Sequence, residues 1–198
     1  MTNPLRSFAA CLLSVLLLPS AAAAAPIPAG GYALLPDESR VAILVRSTLH
    51  DFEVRAKVFK GELTVPAAGA GPIRLRLEFS PEDMESGSDM RDTVMREDVL
   101  ESRKFPRILF EASESAYAGE ENGAAAYRVR GALTLHGVRK EVSLPVRVRL
   151  AGGRLTADAR FELKISDYKM AVPSPLPFLH TQDTLTLTAR FALKRQGD

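Results

Sequence analysis

Three histidines, His50, His136 and His180, are the side chains in this sequence best suited to bind a metal or move a proton. They fall in three separate segments and show neither an i,i+4 pair nor a CxxC-like partner, so a shared metal site is not expected. Ser39, His50 and Asp51 supply the residue types of a hydrolase triad. No G-x-S-x-G elbow accompanies them, and a triad is defined by geometry, which spacing alone does not provide. The acidic run Glu82 to Asp92 departs from the D-x-[DN]-x-[DN]-G calcium loop and reads as a solvated segment. No catalytic residue, metal or cofactor is expected. The arginine pairs Arg74/Arg76, Arg128/Arg130 and Arg147/Arg149 carry the other conspicuous chemistry. Residues two apart in a strand share a face, so each pair marks a solvent face that also admits contact with anionic headgroups at a membrane surface. No aromatic residues interleave with them, which argues against nucleic acid.

The elements that must position these residues are strands. From Arg128 to Leu150, Val129, Gly131, Leu133 and Leu135 share one side, opposite Arg128, Arg130 and Thr134. Val142, Leu144, Val146, Val148 and Leu150 repeat the pattern against Ser143, Arg147 and Arg149. Alternation of this kind marks strands with one buried face. His136-Gly137 falls where the chain must reverse, which predicts a β-hairpin. The theme recurs at Val41, Ile43 and Val45; at Phe52, Val54, Ala56 and Val58; at Ile73, Leu75, Leu77 and Phe79; at Ile108, Phe110 and Ala112; from Leu155 to Ile165; and from Leu185 to Leu193. Gly61 to Val65 is expected to pair with the strand that follows it, and Pro145 suggests an edge position or a bulge. A Gly/Glu/Ala loop separates Ala112 from the hairpin.

Between Pro81 and Pro106 the pattern turns helical. Ser88 is placed to cap a short helix carrying Met90 and Val94 on one side, Asp98 to cap a second reaching Lys104, and Phe105-Pro106 to end it. About eight antiparallel strands, each half apolar, need a shared interior. A closed barrel removes the edges that a sandwich leaves exposed. An outer-membrane barrel would need aromatic girdles, and this chain has no tryptophan and 4 tyrosines.

The first 24 residues read as a secretory signal peptide: Arg6, an apolar core from Phe8 to Leu18, and the small residues Ala21 to Ala25. Residues 25–198 then form one domain, exported to a periplasm or the cell exterior and without disulfides, because the only cysteine, Cys11, leaves with the leader. With 26 basic and 24 acidic residues, the charge balance gives no global attraction to polyanions.

Several of these segments, in order, resemble the YceI-like, polyisoprenoid-binding proteins of bacterial periplasms. They are Tyr32-Ala-Leu-Leu-Pro-Asp37 with Ser39, His50-Asp-Phe52, Gly61, Arg91-Asp92, Asp98 to Pro106, Phe110, Gly131-Ala-Leu-Thr-Leu-His-Gly137, Lys140 and Ser166-Asp-Tyr168. Glu38, where the family often has histidine, and the Pro173 to Pro177 loop depart from it. The resemblance implies an all-β fold: an antiparallel, lipocalin-like β-barrel of about eight strands with one short helical excursion, holding a long apolar lipid inside. Side chains expected to line that interior are Val41, Ile43, Leu75, Leu77, Phe110, Leu133, Phe161, Leu163, Leu187 and Phe191. The function implied is a non-enzymatic periplasmic carrier or reservoir for an isoprenoid-like lipid. An enzyme acting on such lipids and a stress-induced interaction protein with an incidental cavity are the alternatives. The oligomeric state stays open, a homodimer included.

The mature N-terminus is expected at Ala24 or Ala25, because Pro26 lacks the backbone N–H of an extended substrate. N-terminal sequencing of exported protein checks this. A chain beginning at Met1, or a lipid on Cys11, refutes it.

Overall fold

The computed structural model describes residues 27–56, 59–67, 72–174 and 180–197. The segment read as a signal peptide, Val58 and most of the Pro173–Pro177 loop lie outside them. Eleven strands form one sheet: β1 (Gly30–Leu34), β2 (Arg40–Val45), β3 (Phe52–Ala56), β4 (Phe59–Val65), β5 (Arg74–Phe79), β6 (Met84–Glu85), β7 (Ile108–Glu121), β8 (Ala124–Leu135), β9 (Val138–Ala151), β10 (Arg154–Lys164) and β11 (Thr184–Arg195). The order β1-β4-β5-β7-β8-β9-β10-β11 returns to β1, closing an eight-stranded antiparallel barrel, and β2, β3 and β6 extend the sheet from β11.

β1 and β2 are one stave broken in the middle. β1 pairs with β11 at Leu34↔Leu193, and β2 pairs with the same edge of β11 at Val41↔Ala189. A 3-10 turn, Pro36–Glu38, separates them. Ser39 repairs the ladder across this kink. Its hydroxyl donates to Leu35 O at 2.7 Å and accepts from Ala192 N at 2.9 Å, while Leu35 N bonds Ala192 O at 2.8 Å. A buried backbone donor left without such a partner costs about 1–3 kcal/mol.

The expected hairpin is present, with Leu135↔Val138 flanking a two-residue turn. His136 and Gly137 have φ of 50° and 72°, the left-handed pair that matches the twist of the flanking strands. The segment read as a Gly/Glu/Ala loop is instead the upper half of β7, which reverses through Asn122-Gly123 into β8. Its alternation is hidden by two bulges, between Ala112 and Glu114 and between Tyr117 and Gly119, each of which shifts the register by one residue. Pro145 lies one residue beyond the β9–β10 ladder, which stops at Val146↔Ala159, so it does stand at a local edge.

The helical excursion also differs in detail. α1 (Asp89–Val94) runs straight into a wider π-helical turn over Met95–Val99, and Asp98 sits within that turn instead of capping a second helix. Ser88 occupies the N-cap without a side-chain bond. Met90 and Val94 are exposed. The apolar residues turned to the barrel are Met95, Val99 and Leu100, which pack with Met84, Ile108 and Leu135. The segment is pinned by buried Asp92, which accepts bonds from the amide and hydroxyl of Ser86. Burial pushes that carboxyl up, but the Ser86 bonds, Arg96 and Arg91 outweigh it and hold the group low.

Gly131 is fixed by close approach. A Cβ there would stand 2.3 Å from Glu111 O and 2.7 Å from Ala112 Cα, where the first β7 bulge presses on β8. Gly131→Ala is expected to cost about 2–3 kcal/mol, as overpacking against backbone does. Denaturant unfolding measures it, and a loss under about 0.5 kcal/mol refutes the account.

Candidate functional site

Inward side chains follow one phase around the barrel and divide its interior in two. At the end holding the His136-Gly137 turn, Val41, Val45, Val54, Leu163, Ile165 and Tyr168 form a packed cluster, and Leu100 closes over it. Toward the other end, Tyr32, Phe59, Leu63, Val148, Leu155 and Leu193 form a second. Phe79, Val146 and Phe191 pack against both, and against a third cluster of Leu77, Phe110, Ala112 and Val129 on one wall. Phe59 joins these aromatics at the waist, 5.2 Å from Phe79 and 5.8 Å edge-on to Phe191 between ring centroids.

A cavity of about 80 Å³ lies on the side of the waist away from the helical segment. Leu75 and Leu77 of β5, Val129 of β8, Val146 of β9, Ala157 of β10 and Phe191 of β11 form much of its wall. Ser115 and the Tyr127 phenol are its polar groups. Burial pushes the Tyr127 phenol up, with the neighbouring Tyr117 adding to the shift.

Three of the ten side chains expected to line the interior, Leu75, Leu77 and Phe191, border this cavity. Val41, Ile43, Leu133, Leu163 and Leu187 belong to the packed cluster under the helical segment, and Phe110 to the wall cluster. Phe161 is half-buried opposite Leu187. The cavity residues that sequence reading passed over include Leu63, Tyr127, Val148 and Leu155. All four share the inward phase, but phase says nothing about which end of a barrel is filled. Tyr127 was further hidden by the loop reading of its hairpin.

The candidate polar sets do not assemble. Ser39 and His50 lie beyond opposite ends of β2, whose 6 residues span about 20 Å. Asp51 accepts from Ser47 N at 3.3 Å, and His50 faces Arg91 at 3.5 Å. His180 contacts Ser174 Oγ at 3.0 Å. Among the described residues, no three His, Cys, Asp or Glu side chains gather as metal ligands.

His136 does more than fill its turn. With a side chain only 10% exposed, it places Nε2 2.6 Å from Glu101 Oε2 and Nδ1 3.2 Å from Tyr168 O. Both neighbours are hydrogen-bond acceptors facing the two ring nitrogens. Phe105 packs on the ring with centroids 4.3 Å apart at a tilt of 56° and also covers Gly137. Lys140 reaches Asp167 at 3.1 Å and lies over the Tyr168 ring. One imidazole thus ties the helical excursion, the hairpin turn and the Ser166–Tyr168 turn into a lid over the packed end. Ser166 fixes that last turn to Asp183, its amide and hydroxyl donating at 2.8 and 2.6 Å.

The His136 bond holds the Glu101 carboxyl below its ordinary value of 4.5, against some burial and with help from Lys104. A lowered folded value gives stability that is complete above pH 4.5 and lost as pH falls through the depressed value. Glu101→Gln is therefore expected to melt lower at neutral pH and to lose less on acidification than wild type. Melts between pH 3 and 7 compare the two, and parallel curves refute the link.

Comparison with known proteins agrees with this architecture. Residues 32–193 match the family described as YceI-like domain. BcnA from Burkholderia cenocepacia is similar in structure, with a TM-score of 0.70 at 20% identity over 80% of this chain and 98% of that one. A polyisoprenoid binding domain from Saccharophagus degradans, implicated in plant cell wall breakdown, gives 0.66 at 17% identity over 83% of this chain and 98% of its own. The YCEI protein of Campylobacter jejuni gives 0.53 at 16% identity, covering 69% and 83%. No curated protein matches the sequence. With a family match across nearly all the described residues and a closed eight-stranded barrel behind it, the chain belongs to the YceI-like domain family.

Proposed function

We propose that this protein binds a long apolar chain of isoprenoid type in its barrel, without turning it over, and serves as a periplasmic carrier or reservoir after loss of residues 1–24. The observation that carries the reading is the hydrocarbon-lined cavity in the half of the barrel that the helical segment leaves uncovered. The related fold of a polyisoprenoid binding domain supports the choice of ligand. Binding fits better than catalysis here, since the cavity's polar groups are Ser115 and the Tyr127 phenol.

The free interior of about 80 Å³ is well below the ~300–1,000 Å³ of typical ligand pockets, so a chain enters by widening it. Each methylene removed from water contributes roughly 0.8 kcal/mol. Several of them offset the cost of swinging Phe191 or Tyr127 aside. The side on which the wall can part is the one where β5 stops short. Its ladder with β7 ends at Leu75↔Ala112, while β7 runs on to Glu121.

Ala157→Leu fills the cavity without adding a polar group. It is expected to reduce lipid co-purifying with exported protein several-fold, while the melt of lipid-free protein stays within about 1 kcal/mol of wild type or rises. Mass spectrometry of organic extracts reads the first and thermal unfolding the second. Wild type that carries no prenyl lipid, or a variant that retains it in full, overturns the proposal.

A further inference from the structure

We propose that the groove on the outer face beside the β5–β7 gap receives the anionic head of the amphiphile whose chain enters the cavity, an inference that rests on the lipid-binding reading above. The groove holds about 520 Å³ between Pro72-Ile73 and the strands at Glu114–Ala116, Arg128 and Arg130. Ile73 and Ser115 line both this groove and the apolar cavity, so the two spaces meet at a shared rim. The first β7 bulge creates that arrangement. It turns Ser115, opposite Val129, to the inside, and leaves Glu114 and Ala116 outside, opposite Arg130 and Arg128.

The charges at the rim favour an anion. Several outward arginines are already paired: Arg76 and Arg139 both hold Glu111, at 2.9 and 2.8 Å, and Arg149 and Arg190 share Asp158. In the groove, two guanidiniums face one carboxylate. Arg130 meets Glu114 only at 3.9 Å with both side chains mostly exposed, and Arg128 has no partner among the described residues. A guanidinium presents a planar fork of donors suited to phosphate or carboxylate. The β5–β7 ladder ends at Leu75↔Ala112, and among the described residues β7 has no further ladder partner on that side. An apolar chain entering between Ile73 and Ser115 would leave its terminal polar group within this pair of arginines. A neutral head gains nothing there. An anionic one gains charge-assisted hydrogen bonds that weaken with salt.

The test compares farnesyl phosphate, farnesol and inorganic phosphate by calorimetric titration into delipidated full-length protein. Wild type is expected to bind farnesyl phosphate at least about tenfold tighter than farnesol at low salt, with the preference shrinking as salt rises. Arg128→Glu, and Arg128→Gln combined with Arg130→Gln, should bring the two within about twofold while farnesol binding and the melt stay as in wild type. Glu114→Gln, which removes the competing carboxylate, should widen the preference. Farnesol and farnesyl phosphate bound equally by wild type, or an unchanged preference in Arg128→Glu, overturns this inference and leaves the lipid reading standing. Inorganic phosphate bound as tightly as farnesyl phosphate identifies a free-anion site and also overturns it. Binding of neither prenyl compound overturns the lipid reading, and this inference with it.

Discussion

The structure depends on β11 being paired along both edges. One edge runs the length of β10, from Thr184↔Lys164 to Lys194↔Arg154; the other is shared in sequence by β2 and β1. Without that second edge the sheet would be an open ribbon with two unpaired margins, and its long half-apolar strands would be prone to edge-to-edge association. The closing stave cannot be straight, because β1 and β2 must follow a curving partner. The kink at Pro36–Glu38 and the Ser39 hydroxyl bridging to Ala192 let closure proceed without leaving that amide unbonded. A side chain of the right type for catalysis is thus fully employed in holding the backbone ladder together.

Closure creates an interior, and the way that interior is shared out decides what it can do. Under the helical excursion the space is filled by packed side chains and locked by the His136 contacts to Glu101 and Tyr168. Beyond the Phe59, Phe79 and Phe191 waist, the walls are as apolar but the filling is incomplete. A barrel of eight strands is at the size where the interior can be either just filled or able to admit one small molecule. Here one end is filled and the other keeps a cavity of about 80 Å³. The packed half supplies the frame, and the ladders of β7 are interrupted in the other. The gap where β5 ends leaves fewer backbone bonds to break there than anywhere that neighbouring strands run in full register.

Much of this was legible in the residues. Strict alternation in β8 through β11 identified those strands and their buried faces, and His136-Gly137 identified the turn, because period two and a left-handed dipeptide are local properties. The missed half of β7 fails for an equally local reason. Two bulges reset the phase of Ser113 to Glu121, and small and acidic residues there carry no apolar face to reveal it. The misread second helix and the exposed Met90 and Val94 have another cause: which side of a short helix faces the barrel is set by where Asp92 is anchored, a tertiary fact. For the site, sequence gave the inward phase but not the depth. Leu163 and Leu75 look alike in alternation, yet one sits in a sealed cluster and the other on the cavity wall. His136 was readable as a turn residue and not as a clasp, because its partners stand 35 and 32 positions away.

The pairing of Tyr32 with Arg195 has a consequence in time as well as in space. The strands from β7 to β10 follow one another through short turns, so that part of the sheet can assemble from neighbouring residues as it is made. The ring cannot. Its first strand waits for β11, and until Thr184–Arg195 are available β1 has no partner on that edge. A chain interrupted anywhere before β11 therefore has no enclosed interior, and the barrel closes in a single step once β11 is in place.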